Sequence, residues 1–233
     1  MKIALLGYGR MGKTIETIAL SRGHKIVIKT SETVTSEITK ADIAIDFSIP
    51  TAAFGNISNC INNNIPVISG TTGWLDHYDK IVDLCQQKKG AFIYASNFSL
   101  GVNIFFELNK TLAKMMSALE DYNVSLEEIH HTKKLDAPSG TAISLAKDIV
   151  ENHNQFNSWQ LDANEEKVLP ITAKRIENVP GTHNITYKSE VDTIKIEHIA
   201  HSRQGFALGA VVAAEWLIGK TGVYTMKDVL NIS

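Results

Sequence analysis

The chain has 233 residues, 44% hydrophobic and 21% charged, with a formal net charge of -2. This length buries a substantial core as one large domain or two modest ones, and the near-neutral balance gives no electrostatic reason to expect nucleic acid. The two cysteines, Cys60 and Cys85, have no metal-ligand spacing and fit a reduced, cytoplasmic setting, while the apolar run Ile3 to Leu6 is too short for a signal peptide. Glu215 interrupts the only long apolar stretch near the C-terminus, so no membrane span is expected.

Lys2 to Leu6 is a short apolar run, followed by Gly7-Tyr8-Gly9-Arg10-Met11-Gly12 and then by Ile15, Ile18, Ala19 and Leu20 at helical spacing. The pattern predicts a strand, a glycine turn and a helix. In such a turn the first glycine permits the tight bend, the second admits a pyrophosphate to the backbone, and the third lets the helix approach the strand. Gly23 ends the helix and Lys25 to Lys29 supplies a second strand. The acidic ribose ligand expected about 20 residues past the turn falls on Glu32, past the strand end, whereas Lys29 suits a 2′-phosphate. NADH and NADPH both stay open.

Ala41 to Phe47, Pro66 to Ser69 and Ala91 to Ala95 read as further strands. Between them lie helix faces of Ala52, Ala53, Ile57, Cys60 and Ile61, then of Ile81, Val82 and Leu84. The stretch Asp46-Phe47-Ser48-Ile49-Pro50 reads as a cap and helix-starting loop. This alternation predicts an α/β fold with a doubly wound, Rossmann-like parallel sheet. Ligands collect at the carboxyl ends of such strands, where Gly70-Thr71-Thr72-Gly73 and Ala95-Ser96-Asn97-Phe98 fall.

A long helix follows between Ser99 and Leu119, marked by Val102, Phe105, Phe106, Leu108, Leu112, Ala113 and Met116. Asn123 to Ile129 reads as a strand leading into His130-His131-Thr132-Lys133-Lys134-Leu135-Asp136-Ala137-Pro138-Ser139-Gly140-Thr141-Ala142. Neighbouring histidines on a strand point to opposite faces, so one of the pair is catalytic and the other positional unless the strand has already ended. Asp136 or Ser139 caps a helix beginning near Ser139, with Pro138 in its first turn. Its unpaired N–H groups form an anion site that Gly140 leaves open to close approach, and Lys133 or Lys134 adds a positive charge.

Glu151 to Glu166 reads as a polar loop. Ile171 to Ile176, Asn184 to Ser189 and Thr193 to His201 read as strands of a mixed or antiparallel sheet, giving an α+β second domain with helices on one face. His183, His198 and His201 lack the tight helical spacing of zinc enzymes and have no visible carboxylate partner, so no metal is expected. Arg203 and a helix from Phe206 through Trp216 bring the chain back, and Val223 to Leu230 completes the first sheet. The expected domains are 1–98 with 206–233 for the dinucleotide, and 99–205 for substrate binding and oligomerisation.

The His130 to Ala142 run closely resembles the signature of the 4-hydroxy-tetrahydrodipicolinate reductase family, also called dihydrodipicolinate reductases. Gly7 to Gly12, Asp46-Phe47-Ser48, Gly70-Thr71-Thr72-Gly73, Ala95-Ser96-Asn97-Phe98-Ser99 and Ser202-Arg203-Gln204-Gly205-Phe206 resemble further family blocks in family order. The glycine turn is one residue shorter than is common there, and the region between the second strand and Ala41 is trimmed. The resemblance implies reduction of a cyclic hydroxy-dicarboxylate by NADH or NADPH with loss of water, on the diaminopimelate route to lysine. It implies His130 and Lys134 as catalytic, and His131, Ser139, Gly140 and Thr141 as substrate contacts. Gly7, Tyr8, Gly9, Arg10, Met11, Gly12, Gly70, Thr71, Thr72, Ala95, Ser96, Asn97 and Phe98 fall to the cofactor. It also implies a homotetramer. The alternatives are another two-domain nicotinamide oxidoreductase and a catalytically silent dinucleotide sensor.

Overall fold

A computed structural model describes residues 1–31, 36–202 and 204–232. Glu32 and Arg203 lie outside the described residues. The chain separates into two compact units, Met1–Leu100 with Gln204–Ser233, and Gly101–Arg203. No helix among the described residues is long and apolar enough to cross a membrane.

In the first unit, six strands pair in parallel: β1 (Lys2–Leu6), β2 (Lys25–Thr30), β3 (Ile43–Asp46), β4 (Val67–Ser69), β5 (Ala91–Tyr94) and β11 (Gly222–Tyr224), in the order β11-β5-β4-β3-β1-β2. The chain leaves β1 to one side for β2 and to the other for β3, so the order reverses at β1, where open α/β sheets bind their ligands. Both faces are covered. Helices α1 (Arg10–Ser21) and α6 (Gln204–Leu217) bury Ile15, Ala19, Ala207, Ala210, Val211 and Ala214 against Ile3, Leu5, Ile43, Ile45 and Ile93. Ala53, Ile57, Cys60 and Ile61 of α2 (Pro50–Asn62) and Ile81 and Cys85 of α3 (Tyr78–Lys88) pack with Ala4, Leu6, Ala44, Val67 and Phe92. Leu20, expected on the buried face of α1, is 52% exposed. The expected side-chain cap of α2 is also absent: its N-cap is Ile49, with Pro50 in the first turn.

The second unit is a mixed sheet of β6 (Asn123–His130), β7 (Ser158–Leu161), β8 (Val168–Arg175), β9 (Gly181–Lys188) and β10 (Thr193–Ala200), in the order β10-β9-β6-β8-β7. β9 runs antiparallel to β6 and β10, while β8 runs parallel to β6 and β7. One face carries α4 (Leu100–Met116) and α5 (Gly140–Asn152), whose Phe105, Ala113, Met116, Leu145, Ala146 and Ile149 pack on Val124, Leu126, Ile171, Ile185 and Tyr187. On the other face Glu127 pairs with Lys174 and accepts from Asn184 at 3.2 Å. The stretch expected as a polar loop contains β7. Its Trp159 and Leu161 alternate with exposed Ser158 and Gln160 over four residues, too short a run to declare a strand alone.

Candidate active site

The glycine turn follows from backbone chemistry. Gly7 sits at φ +95, and a Cβ there would overlap the Phe47 carbonyl at the end of β3; a Cβ on Gly12 would overlap the Gly7 carbonyl. Gly9 caps α1 without a side-chain hydrogen bond, no acidic residue lies in the first turn, and a Cβ on it would meet nothing within 4 Å. The helix therefore presents uncapped N–H groups and its positive end to open space beside Arg10 and Met11, which fits a pyrophosphate. Tyr8 folds back: its hydroxyl donates to Glu16, and Lys29 pairs with the same carboxylate while lying 5.2 Å from the Tyr8 ring centre. The Lys29 charge is thus already partnered.

The loops after β4 and β5 divide into surface and scaffold. Thr72 and Ser96 are exposed, with Gly70, Ala95 and Asn97 half-buried. Thr71 and Phe98 turn inward. The Thr71 hydroxyl donates to buried Asp46 at 2.8 Å and accepts the Ser48 N–H at 2.9 Å, and Phe98 packs in the core 5.8 Å from the Phe47 ring. Asp46 also accepts from Ser48, Ser69 and Asn56. Burial pushes its carboxyl upward against these donors. A Cβ on Gly209 would overlap the Phe98 carbonyl, so α6 rests directly on this loop.

In the second unit, β6 alternates, and Val124, Leu126, Glu128 and His130 share the covered face. The apolar half of that row joins the core; the other half begins the site. Across the sheet Glu128 lies opposite His183, and His130 opposite Arg175. Glu128 is fully buried. Its Oε1 accepts from Arg175 Nη2 at 3.1 Å and its Oε2 accepts the Ser139 N–H at 3.0 Å. His130 Nδ1 lies 3.3 Å from Oε2, within ion-pair reach but not aligned as a hydrogen bond. Burial alone would raise the Glu128 carboxyl; the His130 and Ser139 contacts outweigh it and hold it at about 2. His183 Nε2 is 3.1 Å from the Ser139 hydroxyl and 3.8 Å from Glu128. Burial lowers its imidazole to about 3, keeping it neutral.

Ser139, not Asp136, caps α5 by accepting the Ala142 N–H at 3.2 Å, and Pro138 precedes the cap instead of opening the first turn. Ser139 therefore faces the buried cluster and spends both its N–H and its hydroxyl there. The first-turn N–H groups of exposed Gly140 and half-buried Thr141 are the donors left open. Lys134 Nζ donates to both oxygens of Asp136 at 2.9 and 2.8 Å, and Arg175 Nη2 donates to the Asp136 carbonyl at 2.7 Å. Lys133 is exposed. The strand ends at His130, so His131 belongs to the following turn, where its carbonyl accepts the Lys134 N–H at 3.0 Å.

His183 and His198 are register partners, but His201 is exposed and outside the strands. The expectation that these histidines lack a carboxylate is overturned, since Glu128, His130 and His183 bring potential donor atoms within 4.8 Å of one another. A guanidinium and a backbone N–H already satisfy that carboxylate, so the set is not read as a metal centre. Sequence reasoning missed Glu128, Arg175 and His183 as site residues. The available signal for Glu128 was its position two residues before His130 on the same strand face.

A parallel sheet with a glycine turn at its reversal point, in a chain whose second unit carries imidazoles beside an open helix start, defines a nicotinamide-dependent oxidoreductase. A family model described as "Dihydrodipicolinate reductase, N-terminus" matches residues 1–98, and one described as "Dihydrodipicolinate reductase, C-terminus" matches residues 101–230. The chain belongs to the dihydrodipicolinate reductase family. It is 61% identical to a 4-hydroxy-tetrahydrodipicolinate reductase of Christiangramia forsetii, covering 99% of this chain and 98% of that one. It is 30% identical to the 4-hydroxy-tetrahydrodipicolinate reductase of Neisseria meningitidis serogroup B, over 100% and 98%. Its fold matches a dipicolinate-bound dihydrodipicolinate reductase from Paenisporosarcina with a TM-score of 0.78 at 22% identity, over 97% of both chains.

Proposed function

We propose that this chain reduces 4-hydroxy-tetrahydrodipicolinate to tetrahydrodipicolinate, consuming one NADH or NADPH and one proton and releasing water, on the diaminopimelate route to lysine. The observation that carries the reading is the start of α5: it buries Ser139 against Glu128 and His183 while leaving the N–H groups of Gly140 and Thr141 open. Anion binding and proton handling thus share one turn.

When bound, the reduced nicotinamide supplies the hydride. The uncapped start of α1, with Gly7 to Gly12, holds its pyrophosphate, and the loops that expose Thr72 and Ser96 beside half-buried Gly70, Ala95 and Asn97 line the rest of its site. Gly140 and Thr141 bind one substrate carboxylate through backbone N–H groups, and Lys134 and His131 bind and orient the dicarboxylate. His130 delivers the proton, the general-acid role that an imidazole most often takes. The first unit is the cofactor domain and the second the substrate and assembly domain. The enzyme works in the cytoplasm as a homotetramer, which light scattering on the purified protein tests.

The activity test follows nicotinamide absorbance while substrate is made in the cuvette from pyruvate and aspartate semialdehyde by the preceding synthase. Oxidation that requires the synthase supports the reductase and ranks the two cofactors. Cofactor binding without such oxidation overturns it. In Lys134→Ala, loss of a charged contact lowers turnover by about 10- to 100-fold with cofactor affinity unchanged. Equal losses in both would remove Lys134 from substrate chemistry.

A further inference from the structure

Two buried imidazoles meet in the second unit, their rings 5.1 Å apart and edge to face. Only one of them faces a carboxylate at ion-pair distance on its own strand. We propose that Glu128 is the positioning residue of the proton donor: it holds His130 in place and keeps the transferable proton on His130, while His183 serves as a neutral acceptor anchoring the cap of α5. The proposal rests on the reductase reading of the site and extends it to residues outside the expected contact set.

Glu128 is made for this by position. It occupies the row of β6 that also carries His130, so one strand fixes their spacing. Its Oε1 is tied to Arg175 on β8, which in turn holds the Asp136 carbonyl, and its Oε2, the oxygen facing His130, takes the Ser139 N–H at the cap of α5. One carboxylate thereby joins the donor, the Lys134–Asp136 loop and the open helix start. Gly181 completes the arrangement from β9, since a Cβ there would lie 3.0 Å from His130 Nε2.

The charged and titratable groups facing the pair are Glu128 on β6, Arg175 on β8 and His183 on β9, with His198 on β10 and Lys134 in the loop also acting on His183. Arg175 and Lys134 oppose a second positive charge; of the two carboxylates, Asp136 is paired with Lys134 and Glu128 is the one that faces His130. A carboxylate holds a proton on a neighbouring imidazole more firmly than an amide does. The His183 nitrogen beside Ser139 has the opposite task. The Ser139 oxygen already accepts the Ala142 N–H, leaving its O–H to donate to an unprotonated Nε2.

The test is the pH profile of kcat/KM in Glu128→Gln and Glu128→Asp. Turnover that needs a protonated donor falls as pH rises. Glu128→Gln is expected to move this alkaline fall down by about one pH unit or more, with rate recovered on acidification and cofactor KM unchanged. Glu128→Asp, which keeps the charge, holds the fall near its original place. A lower rate with an unmoved profile in Glu128→Gln would overturn the proposal while leaving the reductase assignment intact. If Glu128→Gln does not fold, imidazole nitrogen NMR of the unaltered protein decides. His130 changing protonation across the alkaline fall while His183 stays neutral supports the proposal; His183 titrating in place of His130 overturns it. Absence of substrate-dependent oxidation in the unaltered protein sinks the reductase reading separately, and His183 rather than His130 taking up the proton in an NMR titration still overturns the Glu128 assignment.

Discussion

At the residue scale, the site depends on what is missing as much as on what is present. Gly181 has no side chain because His130 Nε2 would stand 3.0 Å from its Cβ, tighter than ordinary carbon contact. Gly181→Ala should push the ring by a few tenths of an ångström and lower kcat by up to about 10-fold, part of the roughly 100-fold that a 1 Å misplacement costs, while cofactor titration stays as before. Loss of cofactor affinity in this variant would place the damage elsewhere. Two buried groups also set the acid limit of the fold. Glu128 is held at about 2 against an ordinary 4.5, so the stability it contributes is whole above pH 4.5 and is lost as pH falls toward 2. His183 is held at about 3 against 6.5, so below pH 6.5 the unfolded chain gains a proton that the folded chain does not take up. Both act in the same direction. His183→Gln should flatten the decline of the urea midpoint from pH 6.5 down to about 3 and leave the part that Glu128 contributes below pH 4.5. An unchanged curve would mean that His183 protonates freely when folded.

At the element scale, the middle of α6 and the turn before α1 meet neighbouring backbone through glycines. Gly209 lets α6 lie on the Phe98 carbonyl. Gly209→Ala forces helix and loop apart and is expected to cost about 1–3 kcal/mol, as overpacking does, read as a lower urea midpoint. Gly7→Ala adds a disfavoured φ of +95 to a clash with the Phe47 carbonyl and should abolish dinucleotide binding. Retained binding would show that the turn can rearrange. The strand-turn-helix at Gly7 was legible because a short apolar run gives way to a 3.6-period run across glycines. The parallel sheet followed from its repetition. β7 was not legible: Trp159 and Leu161 carry its alternation alone, and pairing with β8 supplies the rest. Nor was the inward turn of Ser139, because its partner His183 is 44 residues away in sequence and neighbours it only once the sheet is formed. Gly209 left a faint trace, since a glycine inside a helix costs about 1 kcal/mol and calls for a packing reason.

At the scale of the whole molecule, the first unit is discontinuous and the second is one uninterrupted piece of chain. Six small and branched side chains of α6, from Ala207 to Leu217, finish the face of the parallel sheet that Ile3, Leu5, Ile43, Ile45 and Ile93 begin. Ribosomal synthesis delivers those strands first and their cover last. Until α6 emerges, half of one sheet face has only α1 to shield it, whereas the second unit is already complete and free to close. The usual rule that the earlier-made domain folds first is therefore expected to be reversed here. A nascent chain halted just before Gln204 should show a protease-resistant second unit and a protease-sensitive first one. The strands that wait for α6 are the apolar surface most exposed to misassociation during synthesis.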